Sequence, residues 1–328
     1  MSASENCEIK ECMTLSSYYF KPSCQGKLCG NIPSYYKENK GIGCLIAHTL
    51  LALCEYNEIR KRALSIVSKM LIRAIKRRGI NIKHDITFSL EEFLDLSLAL
   101  AILLHDLGKT SPQYRKAKTF RHEALSSIYV YHLLREVEEK FAPTKEDIKM
   151  LKIPSQLASA VLLHHESYYW RELEESVTMI DITQVINRKL TSYVPLREHN
   201  CSNFINALIQ NLREHKLLPE KAISYLETFS KIINKVYVNN LRHEVIMQIR
   251  DCRNITYNNL VLPLYYIIFL VDNRAASARK KYWKETYSES IHEMKTRNYE
   301  ALMRGIFKIG GTYTLHVTLT LLPLDRIL

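Results

Sequence analysis

The chain has 328 residues, a formal net charge of +12, 47% hydrophobic residues, and only 9 glycines and 9 prolines. Glycine and proline interrupt helices, so their scarcity predicts an all-α protein with a sizeable core. The N-terminus has no basic end followed by an apolar stretch, and the longest apolar run, Val261 to Val271, is shorter than the roughly 20 residues that span a bilayer. These features argue against a secretory signal and a membrane helix, and we expect a soluble, cytoplasmic protein.

The basic surplus indicates a polyanionic partner, such as nucleic acid or an acidic surface. The alternative is a basic surface with no partner.

Residues 1–40 are polar and lack clear periodicity, which predicts an irregular N-terminal segment. Half of the eight cysteines lie there: Cys7, Cys12, Cys24 and Cys29. Each pair is separated by four residues, a spacing compatible with a structural zinc, free thiols or a disulfide. The other four, Cys44, Cys54, Cys201 and Cys252, lie in apolar helical contexts and are predicted to be small core residues.

Helical periodicity dominates residues 41–300, which we interpret as one helical bundle. The predicted helices cover residues 43–56, 58–79, 89–106, 120–141 and 153–166, two or three segments within 172–250, and 260–283. Gly79 is the predicted C-terminal cap of the second helix. Ser89 and Glu92 form a capping-box pattern at the start of the third. Pro154 stands at the start of the fifth, where proline is tolerated.

The end of the chain has a different pattern. Residues 301–328 contain Gly310-Gly311 followed by alternating threonine and apolar residues. This alternation predicts a short β-hairpin tail. A strand appendage, a segment that pairs with a partner and the remnant of a fusion are all compatible with it.

Histidines and aspartates recur at the ends of apolar helices. A single histidine on an apolar face is usually a satisfied core residue. A buried carboxylate, however, costs several kcal/mol unless a cation or donors accompany it, and Asp106 and Asp272 each follow a long apolar run. A divalent metal would satisfy both carboxylates and the histidines together. The candidate ligands are His48, His105, Asp106, His122, His164, His165 and Asp272.

Seven ligating side chains suffice for two metal ions if Asp106 bridges them, and a pair of ions about 3.5–4 Å apart is suited to phosphodiester hydrolysis. Lys109 lies three residues after Asp106 and is placed to contact the phosphate or the leaving oxygen; the alternative is a solvated loop lysine.

Gly108-Lys109-Thr110 resembles the end of an ATP-binding loop. That loop needs a glycine where Leu103 stands, so ATP binding is excluded here.

Four segments together resemble the HD nucleases of type I CRISPR interference systems. They are HDLGKTSPQY (105–114), FRHEALSS (120–127), AVLLHHE (160–166) and VDNRAASAR (271–279). The resemblance covers about residues 41–285. It implies an HD-domain helical bundle that cuts single-stranded DNA with Mn, Ni, Co, Fe or Mg. By this resemblance His48, His105, Asp106 and Asp272 hold one ion, and Asp106, His122, His164 and His165 hold the other.

The resemblance also implies partners. The family acts on the strand exposed in an R-loop by an RNA-guided surveillance complex. Because this sequence has no helicase motifs, it resembles the stand-alone form, found in many archaea, that works with a helicase in trans. Two other functions share the pattern: an HD nucleotide phosphohydrolase or cyclic-nucleotide phosphodiesterase, and a non-catalytic subunit that bridges helicase and surveillance complex. The basic surplus disfavours the first of these, and the complete ligand set disfavours the second.

Overall fold

The structure is a computed structural model that describes residues 32–37, 40–77, 84–111, 114, 122–141, 151–164, 201–233 and 261–283. Helices dominate this part of the chain, which confirms the all-α prediction. They are α1 Leu45–Arg77, α2 His84–Leu104, α3 His122–Phe141, α4 Ile153–Leu163, α5 Cys201–Glu214, α6 Glu220–Ile232 and α7 Val261–Trp283, with a 3-10 turn at Leu107–Thr110. None of the described helices is both long and apolar enough to cross a bilayer. The four N-terminal cysteines, Cys252 and the predicted hairpin at 301–328 lie outside the described residues.

A small hairpin precedes the bundle. Strand β1, Pro33–Lys37, pairs antiparallel with β2, Lys40–Cys44, in a register that places Pro33 opposite Cys44. The Leu45 amide donates to the Ile32 carbonyl at 3.1 Å and joins the hairpin to α1. Strand β1 lies in residues 1–40, which we predicted to be irregular, whereas β2 extends into the start of the predicted helical bundle. Hydrogen bonding between the two strands stabilises them, and such pairing cannot be detected from helical periodicity.

Two predicted helices are one. Helix α1 runs without a break from Leu45 to Arg77, so the prediction of separate helices at 43–56 and 58–79 is wrong. The predicted gap falls at Asn57, a polar residue that is exposed on the solvent side of the continuing helix. Helix α2 likewise begins at His84, five residues before the Ser89 that was predicted to start it.

The centre of the bundle is the second half of α2. Every residue from Leu98 to Leu104 is buried, because α2 packs against α1, α3 and α4. Helix α4 has Pro154 in its first turn, as predicted, and packs against α3 and α7. Helix α7 also packs along α1. The last turns of α2 and α4, the start of α3 and the middle of α7 therefore meet in the interior.

The three described cysteines are not alike. Cys44 is buried in the core, as predicted, and it is also disulfide-bonded. Cys54 and Cys201 are free thiols. Burial raises the pKa of the Cys201 thiol to about 11, and Cys201 is completely buried beside Thr110, as a core position predicts.

A buried ion pair ties α1 to α7. Arg274 Nε lies 3.3 Å from Glu55 Oε2, with both side chains less than one-tenth exposed. Removing one partner of a buried pair leaves an uncompensated charge, which costs about 3–5 kcal/mol. We expect Glu55→Ala to lower the free energy of unfolding by that amount in urea denaturation. The matched control is Glu92→Ala, whose partner Lys221 lies at 3.1 Å with both side chains at least half exposed. It should cost less than about 1 kcal/mol, and equal losses in the two variants would contradict the prediction.

Candidate metal centre

Asp106 lies at the point where the helices converge. It follows His105 directly after the end of α2 and is 1% exposed. Its two carboxylate oxygens face different groups of histidines: Oδ2 faces those in α1 and at the end of α2, and Oδ1 faces those of α3 and α4. The fold therefore presents one carboxylate to two separate sets of donors.

The first set of donors lies on the Oδ2 side. His48, in the first turn of α1, has its Nε2 atom 3.4 Å from Asp106 Oδ2 and 2.8 Å from Asp272 Oδ1. His105 Nε2 lies 3.5 Å from each of the same two oxygens. One ligand atom from each of these four residues falls within 4.8 Å of the others. The packing of α7 along α1 brings Asp272 to this position from the far end of the described chain.

The second set lies on the Oδ1 side. His122, the first residue of α3, places its Nε2 atom 3.1 Å from Asp106 Oδ1. His164, which follows the last residue of α4, has its Nε2 atom 3.8 Å away. These three residues also offer ligand atoms within 4.8 Å of one another. His165, the seventh predicted ligand, lies outside the described residues.

Two of the histidines are oriented by helix ends. His105 Nδ1 lies 2.6 Å from the Ile102 carbonyl, and His164 Nδ1 contacts the Val161 carbonyl in the same way. A carbonyl oxygen only accepts, so each Nδ1 carries the hydrogen and donates it. Carbonyls in the last turn of a helix lack a helical partner, which explains why a histidine just past the helix end is held there. In the neutral ring, Nε2 is left as a lone-pair donor facing the aspartates.

The electrostatics of the cluster favour an added cation. Burial alone would raise the pKa of Asp106, but Lys109 and the imidazoles of His105, His122 and His164 hold it well below its ordinary value. Burial, together with the Lys109 charge, lowers the pKa of His122 to about 4. Burial opposes protonation of His105 too, yet the two aspartates raise its pKa overall. Asp106 is therefore ionised at neutral pH and His122 is the neutral form that binds metals.

Lys109 is part of this cluster. It is 6% exposed, and its Nζ atom donates to Asp106 Oδ2 at 2.6 Å. The alternative of a solvated loop lysine is therefore wrong. The 3-10 turn explains its position, because it folds the side chain of Lys109 back over Asp106, three residues earlier. The ammonium neutralises only one of the two buried carboxylates.

The backbone of the turn is in close contact with α3. The Gly108 amide donates to Ser126 Oγ at 2.8 Å. A Cβ atom at Gly108 would lie 2.1 Å from the His122 carbonyl oxygen. Only glycine allows this approach, and the approach sets the separation of Asp106 from His122.

These residues fit divalent metal ions. The donors are imidazole nitrogens and carboxylate oxygens, the set that transition metals such as Mn, Fe, Co and Ni accept. His105 Nε2 is fully buried and has no hydrogen-bond partner among the described residues, although two carboxylate oxygens lie 3.5 Å from it. A lone pair facing two carboxylates is unfavourable unless a cation or a proton lies between them.

Sequence reasoning overlooked three features beside the cluster: Glu123, whose carboxylate faces His122, the contact between Gly108 and Ser126, and the ion pair of Glu55 with Arg274. The adjacency of Glu123 to His122 was visible in the sequence. No feature of the neighbouring sequence indicated that the Glu123 side chain points into the protein.

Comparisons with known proteins relate part of this chain to the HD domain. Residues 72–193 match the family model of the HD domain, a segment that includes the whole of α2, α3 and α4. The chain is 36% identical over 105 residues to the CRISPR-associated endonuclease Cas3-HD of Methanocaldococcus jannaschii, covering 29% of this chain and 37% of that protein. It is 27% identical over 168 residues to the Cas3-HD of Pyrococcus furiosus, covering 48% and 64%. The matches thus span less than two thirds of either curated relative.

One solved structure also matches. The CRISPR-associated Cas3 HD domain protein from Methanocaldococcus jannaschii aligns over 71% of this chain and 99% of its own length, with 19% sequence identity and a TM-score of 0.32. His48 and Asp272 lie outside the segment that the HD family model covers. Their place beside His105 and Asp106 rests on the packing of α1 and α7 described above.

Proposed function

Because the chain contains an HD domain and is related to the CRISPR-associated HD endonucleases, as its motifs predict, we propose that it is a metal-dependent nuclease that cleaves single-stranded DNA. One observation carries this proposal: the two oxygens of Asp106 face two donor sets that share no other described residue. A carboxylate in that position is suited to bridge two ions. The net charge of +12 supports a polyanionic substrate.

We infer the ligands of the proposed centre from the two donor sets. His48, His105, Asp106 and Asp272 would hold one divalent ion, and Asp106, His122 and His164 the other, with His165 as a further ligand implied by the family resemblance. When bound, such ions lower the pKa of water and neutralise charge on the scissile phosphate. Burial of the ligands excludes bulk water and strengthens their interactions with charge.

Lys109 has a distinct role in the proposal. Its ammonium lies within the centre, at 2.6 Å from Asp106, and can reach a phosphate oxygen or the leaving oxygen while remaining near that carboxylate. A positive charge held there before the reaction stabilises the charge that develops in the transition state.

The proposed setting is type I CRISPR interference. The nuclease would act on the strand exposed in an R-loop, together with a separate helicase and an RNA-guided surveillance complex in the cytoplasm. Related endonucleases bear CRISPR-associated names, which supports this setting.

The direct test incubates the full chain and Mn²⁺ with labelled single-stranded DNA, and in parallel with deoxynucleoside triphosphates and cyclic dinucleotides. We expect chelator-sensitive DNA cleavage and little turnover of the small molecules. Turnover of small molecules without DNA cleavage would contradict the proposal and favour an HD nucleotide phosphohydrolase. An absence of all hydrolysis, with assembly onto a helicase and surveillance complex intact, would favour the bridging subunit.

The Asp272→Ala substitution should abolish DNA cleavage. Asp272 supplies the second carboxylate of the first donor set, and its Oδ1 atom lies 2.8 Å from His48 Nε2. Without it the first set retains only Asp106 as an anionic ligand. Metal analysis of the purified variant should find fewer ions than in the wild type. A variant that retains two ions would show that Asp272 is not a ligand.

A further inference from the structure

The histidines of the centre differ in the group that contacts Nδ1, the ring nitrogen opposite Nε2. His105 and His164 donate from Nδ1 to backbone carbonyls. His122 Nδ1 instead lies 3.3 Å from the carboxylate oxygen Oε2 of Glu123, the next residue in the chain. Among the histidines whose ring contacts are described, His122 therefore has the only side-chain carboxylate at this position.

Glu123 is well placed to fix the ring of His122. It is 2% exposed and lies in the first turn of α3, where the positive end of the helix dipole favours a negative charge. The opposite ring nitrogen, Nε2, lies 3.1 Å from Asp106 Oδ1. A carboxylate that accepts the Nδ1 hydrogen selects the tautomer with a lone pair on Nε2 and makes that lone pair a stronger metal donor.

We propose that Glu123 is a positioning residue that strengthens the half of the centre formed by Asp106, His122 and His164, and leaves the half formed with His48, His105 and Asp272 unchanged. This inference rests on the proposed dinuclear centre. Its chemical basis is the difference between the two halves: a negatively charged acceptor behind His122, and neutral carbonyl acceptors behind His105 and His164.

The test is calorimetric titration of Mn²⁺ into the metal-free full chain. The wild type should show two binding events. Glu123→Ala should weaken one event by about 10- to 100-fold and leave the other unchanged. Glu123→Gln should fall between the wild type and the alanine variant, because its amide oxygen still accepts the Nδ1 hydrogen but carries no charge.

The matched control is Glu138→Ala. Glu138 lies on the same helix, is 1% exposed and pairs with Arg135 at 3.5 Å, but it is about four turns away from His122. This variant should lower the melting temperature without altering either binding event. A purely structural role for Glu123 predicts the same behaviour in both variants.

Three outcomes would overturn the inference: two unchanged events in Glu123→Ala, equal weakening of both events, or a single binding event in the wild type. DNA cleavage by the wild type is measured separately. A wild type that binds two ions but cuts no DNA would refute the proposed nuclease function, while the comparison of variants would still decide the role of Glu123.

Discussion

Asp106→Asn is expected to reduce DNA cleavage by about three orders of magnitude or more. The substitution preserves the size of the side chain and removes the only charge that both donor sets share. The Oδ2 atom of Asp106 lies 3.4 Å from His48 Nε2 and its Oδ1 atom 3.1 Å from His122 Nε2. An amide would offer one weak oxygen ligand to one side and an NH₂ group to the other. Both proposed ions should therefore bind more weakly, as Mn²⁺ calorimetry would measure.

In the Asp106→Asn variant, a loss of stability must be distinguished from a loss of catalysis. Asparagine leaves the buried ammonium of Lys109 without the carboxylate that it contacts at 2.6 Å, and an unpaired buried charge is destabilising. The double variant Asp106→Asn with Lys109→Met removes both charges and should recover much of the lost melting temperature. It should remain inactive. Wild-type cleavage in a folded Asp106→Asn variant would refute the bridging assignment.

Gly108→Ala should damage the centre without touching a ligand. The added Cβ atom would lie 2.1 Å from the backbone oxygen of His122, closer than van der Waals contact permits. The 3-10 turn and α3 must separate, which changes the distance between Asp106 and His122. We expect a stability loss of about 1–3 kcal/mol and weaker Mn²⁺ binding, mainly at the half that contains His122.

The control for Gly108→Ala uses Ser126. Its Oγ atom would lie 3.0 Å from the new Cβ atom and accepts the Gly108 amide. Adding Ser126→Ala removes this side-chain contact but not the clash with the His122 carbonyl. The double variant should therefore show no recovery. If it recovers metal binding, the side chain and not the backbone limits the approach. Normal melting and cleavage in Gly108→Ala alone would refute the role of the close contact.

The predictions for the metal centre test three different contributions to it. Asp106 and Asp272 supply charge, Gly108 sets a distance between elements, and Glu123 orients one ligand. Loss of charge should affect the ions directly, whereas loss of the close approach should also reduce stability. Comparing metal binding with melting temperature across the variants distinguishes the two effects.

The helical character of the chain, its resemblance to HD nucleases and the candidate ligands could all be predicted from local features of the sequence. Apolar periodicity is local, so it predicts helices wherever a buried face repeats. The position of His105 and Asp106 after a run of apolar residues already implied a buried carboxylate that needs a cation. The resemblance to CRISPR HD nucleases agrees with the related proteins; it is carried by the four segments HDLGKTSPQY, FRHEALSS, AVLLHHE and VDNRAASAR.

How these residues come together depends on tertiary packing, which the local patterns do not encode. The packing of α7 along α1 places Asp272 at 2.8 Å from His48, and no local pattern encodes a contact between such distant segments. The structure also fixed which oxygen of Asp106 faces which histidines and showed Lys109 to be buried. The inward orientation of Glu123 depends on its helix packing against neighbours. Local sequence specifies which faces are apolar, while the partners of those faces are set by packing of the whole chain.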